Sequence, residues 1–303
     1  MEKDLLALWD LSKADFDRLF EQSLELKKRH QQGVRGFPLA GKSLGLLFEK
    51  ASTRTRVSFE AAMIQSGGNP TFISIGDTQM GRDEPVSDTA RVLSRYLDAL
   101  VMRTYSQELI EEMAKFASIP VINGLSDLYH PCQILSDMLT VVEKKGKYEG
   151  LKIAWVGDGN NVAHSWIEAA AILGLHLVLA CPKGYEPNAK VLDRALKEGC
   201  GNIILTTDPD EAVSDADVIN TDVWASMGQE DEAEQRLRLF EKYQVNSELM
   251  RKAKTDAIVM HCLPAHRGEE ISEEVLEGPQ SVVWDQAENK MHMHKAILET
   301  LLR

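Results

Sequence analysis

The chain has 303 residues, 44% of them hydrophobic, enough for two domains of ordinary size that each bury a core. A formal net charge of −13 excludes broad electrostatic binding of nucleic acid or anionic lipid, which needs clustered cations, so any anionic ligand has to be captured locally. No run approaches the roughly 20 apolar residues that span a bilayer, and the first ten residues lack the basic-then-apolar order of a secretory signal; the expectation is a cytoplasmic protein with no membrane partner.

In chain order, a first helix is expected over residues 12–30, opened by Ser12 and Asp15 at capping-box spacing. Strands follow near 44–48, 71–75, 99–103 and 121–123, alternating with helices near 54–66, 87–97 and 107–116. The stretch "VVEKKGKYEG", residues 141–150, runs from apolar helix into charge and glycine and reads as a hinge. Beyond it, strands are expected near 152–156, 176–180, 203–206, 218–220, 257–260 and 282–284, with a last helix over 289–302. The rhythm is that of an α/β protein with two domains, each a mainly parallel sheet flanked by helices. Residues 1–145 form one domain in this reading, with 289–303 packing back on it, and 146–288 form the other. Cys132, Cys181, Cys200 and Cys262 include no C-x-x-C pair, so reduced thiols are expected and neither a metal centre nor a disulfide framework.

The first informative stretch is "STRTR", Ser52, Thr53, Arg54, Thr55 and Arg56, between a strand and a helix. A helix start has unpaired N–H groups and the positive end of the helix dipole, and hydroxyls with planar guanidinium forks complete an anion site there. The plainer alternative makes Ser52 a cap and pairs Arg56 with Glu60 across one turn. The expected apolar face of this helix is Val57, Ala61 and Ile64 with Phe59 and Ala62.

Arg103 ends a strand, where open α/β sheets bind ligands, unless it is an edge residue paired with Glu108. In "LYHPCQILSDMLTVVEKKG", Pro131 fits the first helical position, which puts His130 at the cap and Gln133 one turn on, with Ile134, Met138 and Val141 inward. "VGDGNNV" resembles a dinucleotide turn, but Val162 stands where the third glycine belongs and the signal for a nicotinamide cofactor is poor. Asp222 follows a strand and has a helix cap as its plain alternative; Met227 can fill a core gap, and Cys262 can be a small buried hydrophobe.

Taken together, "STRTR" with "SFE" one residue later, "HPCQ" at 130–133 and "HCLP" at 261–264 resemble the aspartate/ornithine carbamoyltransferase family, over the chain from about residue 44 onward. The resemblance implies that Ser52, Thr53, Arg54 and Thr55 hold the phosphate of carbamoyl phosphate, that Arg103, His130 and Gln133 surround its carbamoyl group, and that Pro131, Cys132 and Lys290 also belong to the carbamoyl phosphate site. It implies that Cys262 and Leu263 touch ligand and that Gln79 reaches the phosphate of a neighbouring subunit, hence a homotrimer with shared sites. Asn161, Asp222, Ser226 and Met227 would bind L-ornithine, with Arg54, Arg103, His130, Asp222 and Cys262 carrying the chemistry and no cofactor or metal. "SMG" at 226–228 and Cys262 favour ornithine over aspartate as acceptor. Two departures stand out: Ala51 where proline or serine is usual, and Lys290 where arginine is usual, which keeps the charge and loses the bidentate fork. Two other classes compete: a nicotinamide-dependent dehydrogenase, which leaves "STRTR" without a task, and a non-catalytic phosphate sensor.

Overall fold

The computed structural model describes residues 3–82, 84–225 and 233–302. Contacts divide the chain into two units, Met1–Leu139 with Glu288–Arg303, and Thr140–Ala287. The first unit holds, in order, α1 (Lys13–Gln31), β1 (Ser43–Phe48), α2 (Arg54–Gln65), β2 (Asn69–Ser74), α3 (Val86–Tyr96), β3 (Ala99–Arg103), α4 (Gln107–Phe116), β4 (Val121–Leu125) and the start of α5 (Pro131–Lys145). The second holds β5 (Lys152–Val156), α6 (Asn161–Leu173), β6 (His176–Ala180), α7 (Ala189–Glu198), β7 (Asn202–Thr206), α8 (Pro209–Val213), β8 (Val218–Thr221), α9 (Ala233–Phe240), α10 (Ser247–Met250), β9 (Ile258–His261), α11 (Glu273–Leu276) and the first turn of α12 (Val283–Leu302).

Both sheets are parallel, with strand orders β2-β1-β3-β4 and β7-β6-β5-β8-β9. Parallel strands covered on both faces read as continuous apolar runs, which is why "ALVMR" in β3 and "IVMH" in β9 are buried throughout. The edge strands β2 and β7 are largely exposed. Ser12 and Asp15 close the capping box at the start of α1, as their spacing requires.

Two expectations change. Residues 282–284 are not a strand: one bridge joins Ser281 to Val259, and helical bonding starts at once, with Gln286 N donating to Val282 O at 2.9 Å. Two valines read as strand locally, yet the long run of helix formers behind them outweighs that weak preference. The buried face of α2 is also different: Thr55, Phe59, Ala62 and Met63 point inward, whereas Val57 and Ile64 are 54% and 59% exposed. Both stripes have helical spacing, and only packing chooses between them.

Within the first unit, residues 288–302 of α12 pack on α1 and α2. Lys27 Nζ donates to Asn289 Oδ1 at 2.8 Å, and the His294 ring stacks on Phe59 at 3.6 Å with Nδ1 3.0 Å from Ser58 Oγ. His292 is fully buried and makes an edge contact with His30. Burial, first of all, brings the His292 imidazole down to about 4, and burial followed by the Lys290 charge holds His294 well below its usual range. Between the unfolded pKa of about 6.5 and the folded value, the unfolded chain takes up a proton that the folded chain refuses. Stability is therefore complete above about pH 6.5 and declines as pH falls toward 4. The denaturation midpoint is expected to drop through this window, and His292→Leu to flatten the slope; an unchanged slope in that variant would assign the pH dependence elsewhere.

Candidate active site

Each sheet has one point where successive connections leave in opposite directions, and ligands of open α/β sheets bind in the crevice outside the strand ends there. In the first sheet that point lies between β1 and β3, in the second between β5 and β8. Among the described residues, most of the polar side chains singled out in the sequence lie near these two places, Gln79 being an exception.

At the first, the chain leaves β1 through Lys50 and Ala51 and enters α2 at Arg54. Ser52 Oγ accepts from Thr55 N at 3.2 Å, and Ser58 Oγ donates to Arg54 O at 2.6 Å, which fixes the first turn. Thr55 is buried, Arg54 half-buried and Thr53 exposed. Arg56 leans away, with Nε 2.9 Å from Glu60 Oε1 and its guanidinium 3.7 Å from the centre of the Phe72 ring, so the plainer pairing holds for Arg56. The buried Lys50 ammonium pairs with Asp127, tying the loop after β1 to the loop after β4.

Arg103 ends an interior strand at 9% exposure and is no edge residue; Glu108 accepts instead from Ser106 Oγ at 2.7 Å. Pro131 opens α5 as its missing N–H favours, which leaves buried His130 at the mouth of the helix. Gln133 donates to Asp137 Oδ1 at 2.7 Å and accepts from Lys290 Nζ at 2.7 Å, so a lysine in the arginine position is tied into the same cluster. Burial first, then the positive fields of Lys290, Arg103 and His294, hold His130 well below its usual range and therefore neutral. The Cys132 thiol faces inward to Asn123 O at 3.4 Å and is pushed up to about 12 by burial, so it remains protonated. Gln79 is exposed in a 3-10 turn, Gln79–Arg82.

At the second place, Asp222 lies just beyond β8 and caps no helix among the described residues. Its Oδ1 accepts from Cys262 Sγ at 3.0 Å and from Val223 N at 2.9 Å, and its Oδ2 from Asn160 Nδ2 at 2.9 Å. Asn160 was not singled out in the sequence, although a doubled asparagine before a helix is a capping signal: it caps α6 through Val162 N and Ala163 N. Asn161 is the first residue of α6 and half-buried. Leu263 sits at φ 60°, a left-handed conformation that costs a non-glycine residue about 1–3 kcal/mol. Its N–H donates to His261 Nδ1 at 2.9 Å, and His261 Nε2 contacts Glu270 Oε1 at 2.9 Å. Ser226 and Met227 lie outside the described residues. The four cysteines are free thiols, and no helix among the described residues is long and apolar enough to cross a membrane.

The two halves thus define a two-domain α/β protein with a cluster of hydroxyl and guanidinium donors beside one sheet and a buried carboxylate beside the other. Residues 3–143 match the carbamoyl-P binding domain of aspartate/ornithine carbamoyltransferases, and residues 149–301 match the Asp/Orn binding domain. The chain belongs to the aspartate/ornithine carbamoyltransferase family. It is 59% identical over 302 residues to an ornithine carbamoyltransferase of Syntrophus aciditrophicus, covering 100% of both chains. Among solved structures, the Pyrococcus furiosus ornithine carbamoyltransferase is 51% identical with a TM-score of 0.93, over 97% of this chain and 95% of that one. An anabolic ornithine carbamoyltransferase from Campylobacter jejuni is 40% identical with a TM-score of 0.93, over 99% of both chains.

Proposed function

We infer that this chain transfers the carbamoyl group of carbamoyl phosphate to the δ-amine of L-ornithine, giving L-citrulline and phosphate. The observation that carries the reading is the donor cluster Ser52–Thr55 at the start of α2, with Arg103 ending the neighbouring strand of the same switch point. The names of the full-length relatives agree with it. In this reading Ser52, Thr53, Arg54 and Thr55 take the phosphate, and Arg103, His130, Gln133 and Lys290 face the carbamoyl group. Asp222 takes the α-ammonium of ornithine, assisted by Asn161, Ser226 and Met227 at its carboxylate, and Cys262 and Leu263 line the reacting end. The amine nitrogen bonds to the carbonyl carbon, negative charge grows on the carbonyl oxygen, and the bond to the phosphate oxygen then breaks with its electron pair leaving on phosphate, which also takes the proton that the attacking nitrogen loses. Preorganised cations and N–H donors stabilise both charges in turn. The neutral state of His130 suits it to donate one N–H hydrogen bond without adding a proton to the site.

An alkyl ammonium of pKa about 10.4 is neutral in roughly one molecule in a few thousand at pH 7, so supply of the free amine limits the reaction. The value of kcat/KM for ornithine is expected to climb about tenfold per pH unit from neutrality to about pH 9. Citrulline formation from the two substrates, followed across that range, tests the assignment; no citrulline, or a flat profile in kcat/KM, removes it. On the analogy of the anabolic Campylobacter jejuni enzyme, the reaction runs toward arginine synthesis in the cytoplasm. We further propose a homotrimer in which Gln79 completes a neighbour's phosphate site; sedimentation equilibrium should give about three times the chain mass of 33.8 kDa, and a monomer would exclude the shared site.

A further inference from the structure

The first turn of α2 is tied to α12 by a single side chain, and both belong to the first unit. Ser58 follows Arg54 by four residues, so a serine rotamer that points back along the helix brings its hydroxyl to the carbonyls that open α2. Its Oγ stands 2.6 Å from Arg54 O, 3.2 Å from Thr55 O and 3.0 Å from His294 Nδ1. The hydroxyl has one proton to give. Two oxygens 2.6 Å apart repel unless that proton lies between them, so it goes to Arg54 O. The histidine is therefore the donor: Nδ1–H points at Ser58 Oγ, and the lone pair of the neutral ring is on Nε2.

That tautomer is unfavourable where it sits. His294 is fully buried, and its Nε2 has no hydrogen-bond partner. A buried acceptor without a donor costs about 1–3 kcal/mol. The ring lies flat on Phe59, with centroids 3.6 Å apart and planes at 11°, and a phenyl ring would make the same stack with no orphaned nitrogen. Packing alone favours phenylalanine at this position; what the imidazole adds is the Nδ1–H. The chain Nδ1–H to Oγ–H to Arg54 O polarises each bond by the next and fixes the Ser58 rotamer. Serine back-bonding of this kind bends a helix, so the chain sets the bend of the first turn and with it the direction of Arg54 and of the bare N–H groups.

We propose that His294 is a positioning residue of the phosphate half-site: through Ser58 it holds the first turn of α2 in the bend that aims the Ser52–Thr55 donors at one phosphate group. The inference rests on the reading that these donors take the phosphate of carbamoyl phosphate. His294 acts through Ser58, without touching phosphate or the reacting atoms.

The test is calorimetric titration of the full chain with inorganic phosphate, read beside its thermal midpoint. H294F keeps the stack and loses the donor, so the phosphate Kd is expected to rise about three- to tenfold, the worth of one hydrogen bond. Its midpoint holds or rises, because the orphaned nitrogen goes too. S58A weakens phosphate by a similar factor, and H294F/S58A is no weaker than S58A, since both substitutions cut one chain. H294N sets an amide N–H where Nδ1–H was and keeps the Kd within about twofold of wild type, although the stack is lost. The KM for ornithine is unmoved in all four. H294F that binds phosphate as wild type does, or whose phosphate affinity and midpoint fall together, overturns the proposal and leaves His294 a packing residue. So do additive losses in H294F/S58A. Wild-type protein that binds no phosphate removes the underlying reading instead, and the proposal with it.

Discussion

Replacing Arg103 with Met is expected to lower the rate of carbamoyl transfer at saturating substrates by about a hundred- to a thousandfold, the usual consequence of deleting one preorganised donor to a growing oxyanion. Met keeps most of the buried volume at the end of β3, so the sheet survives the change. The loss is electrostatic in two ways. The guanidinium disappears from the strand end where, in the proposed reading, carbonyl charge accumulates, and one of the positive fields that keep His130 neutral disappears with it. Single-turnover rates are the measurement, because steady-state kcat also contains product release. A loss smaller than about tenfold would place Arg103 outside the reacting group.

Asp222→Asn is the second large effect, and it falls on the other substrate. Asn preserves the shape and keeps one acceptor oxygen, enough for Val223 N, whereas the amide nitrogen in place of the second oxygen cannot accept from Asn160 Nδ2, so that bond is lost together with the charge. Removing one side of a buried charged contact costs about 2–5 kcal/mol, or roughly a 30- to several-thousandfold rise in KM for ornithine. Calorimetric affinity for carbamoyl phosphate should be nearly unchanged, since its donors belong to a different sheet. Parallel losses for both substrates would mean a general structural defect; unaltered ornithine KM would take Asp222 out of the α-ammonium site.

The sequence was most legible where one local rule acts alone. The capping box of Ser12 and Asp15, Pro131 at the first position of α5, and the strands β3, β5 and β6 follow from spacing, proline geometry and apolar runs that tertiary contacts do not contest. It was least legible where two local answers have similar energies. The α2 helix carries two apolar stripes, and residues 282–284 lie between a strand preference of two valines and a helix that begins on top of them. Arg56 shows the same limit within the donor cluster, since its neighbour Arg54 has the same chemistry and only the position of Glu60 and Phe72 separates them.

What the sequence determined by itself was the class of fold, the position of a donor cluster at the start of a helix, and the side chains that make it up. Those follow from periodicity and from the bare N–H groups of a helix end, which are properties of a chain segment. The tertiary structure alone decided which charges meet. Lys290 reaches Gln133 across 157 residues and Cys262 reaches Asp222 across 40, while Arg236 meets Asp158 from a helix that no motif ties to it. Strand order brings Asp222 and Cys262 together at neighbouring strand ends, and helix packing brings Lys290 and Arg236 to their partners, while the strength of a buried charge depends on what lies beside it.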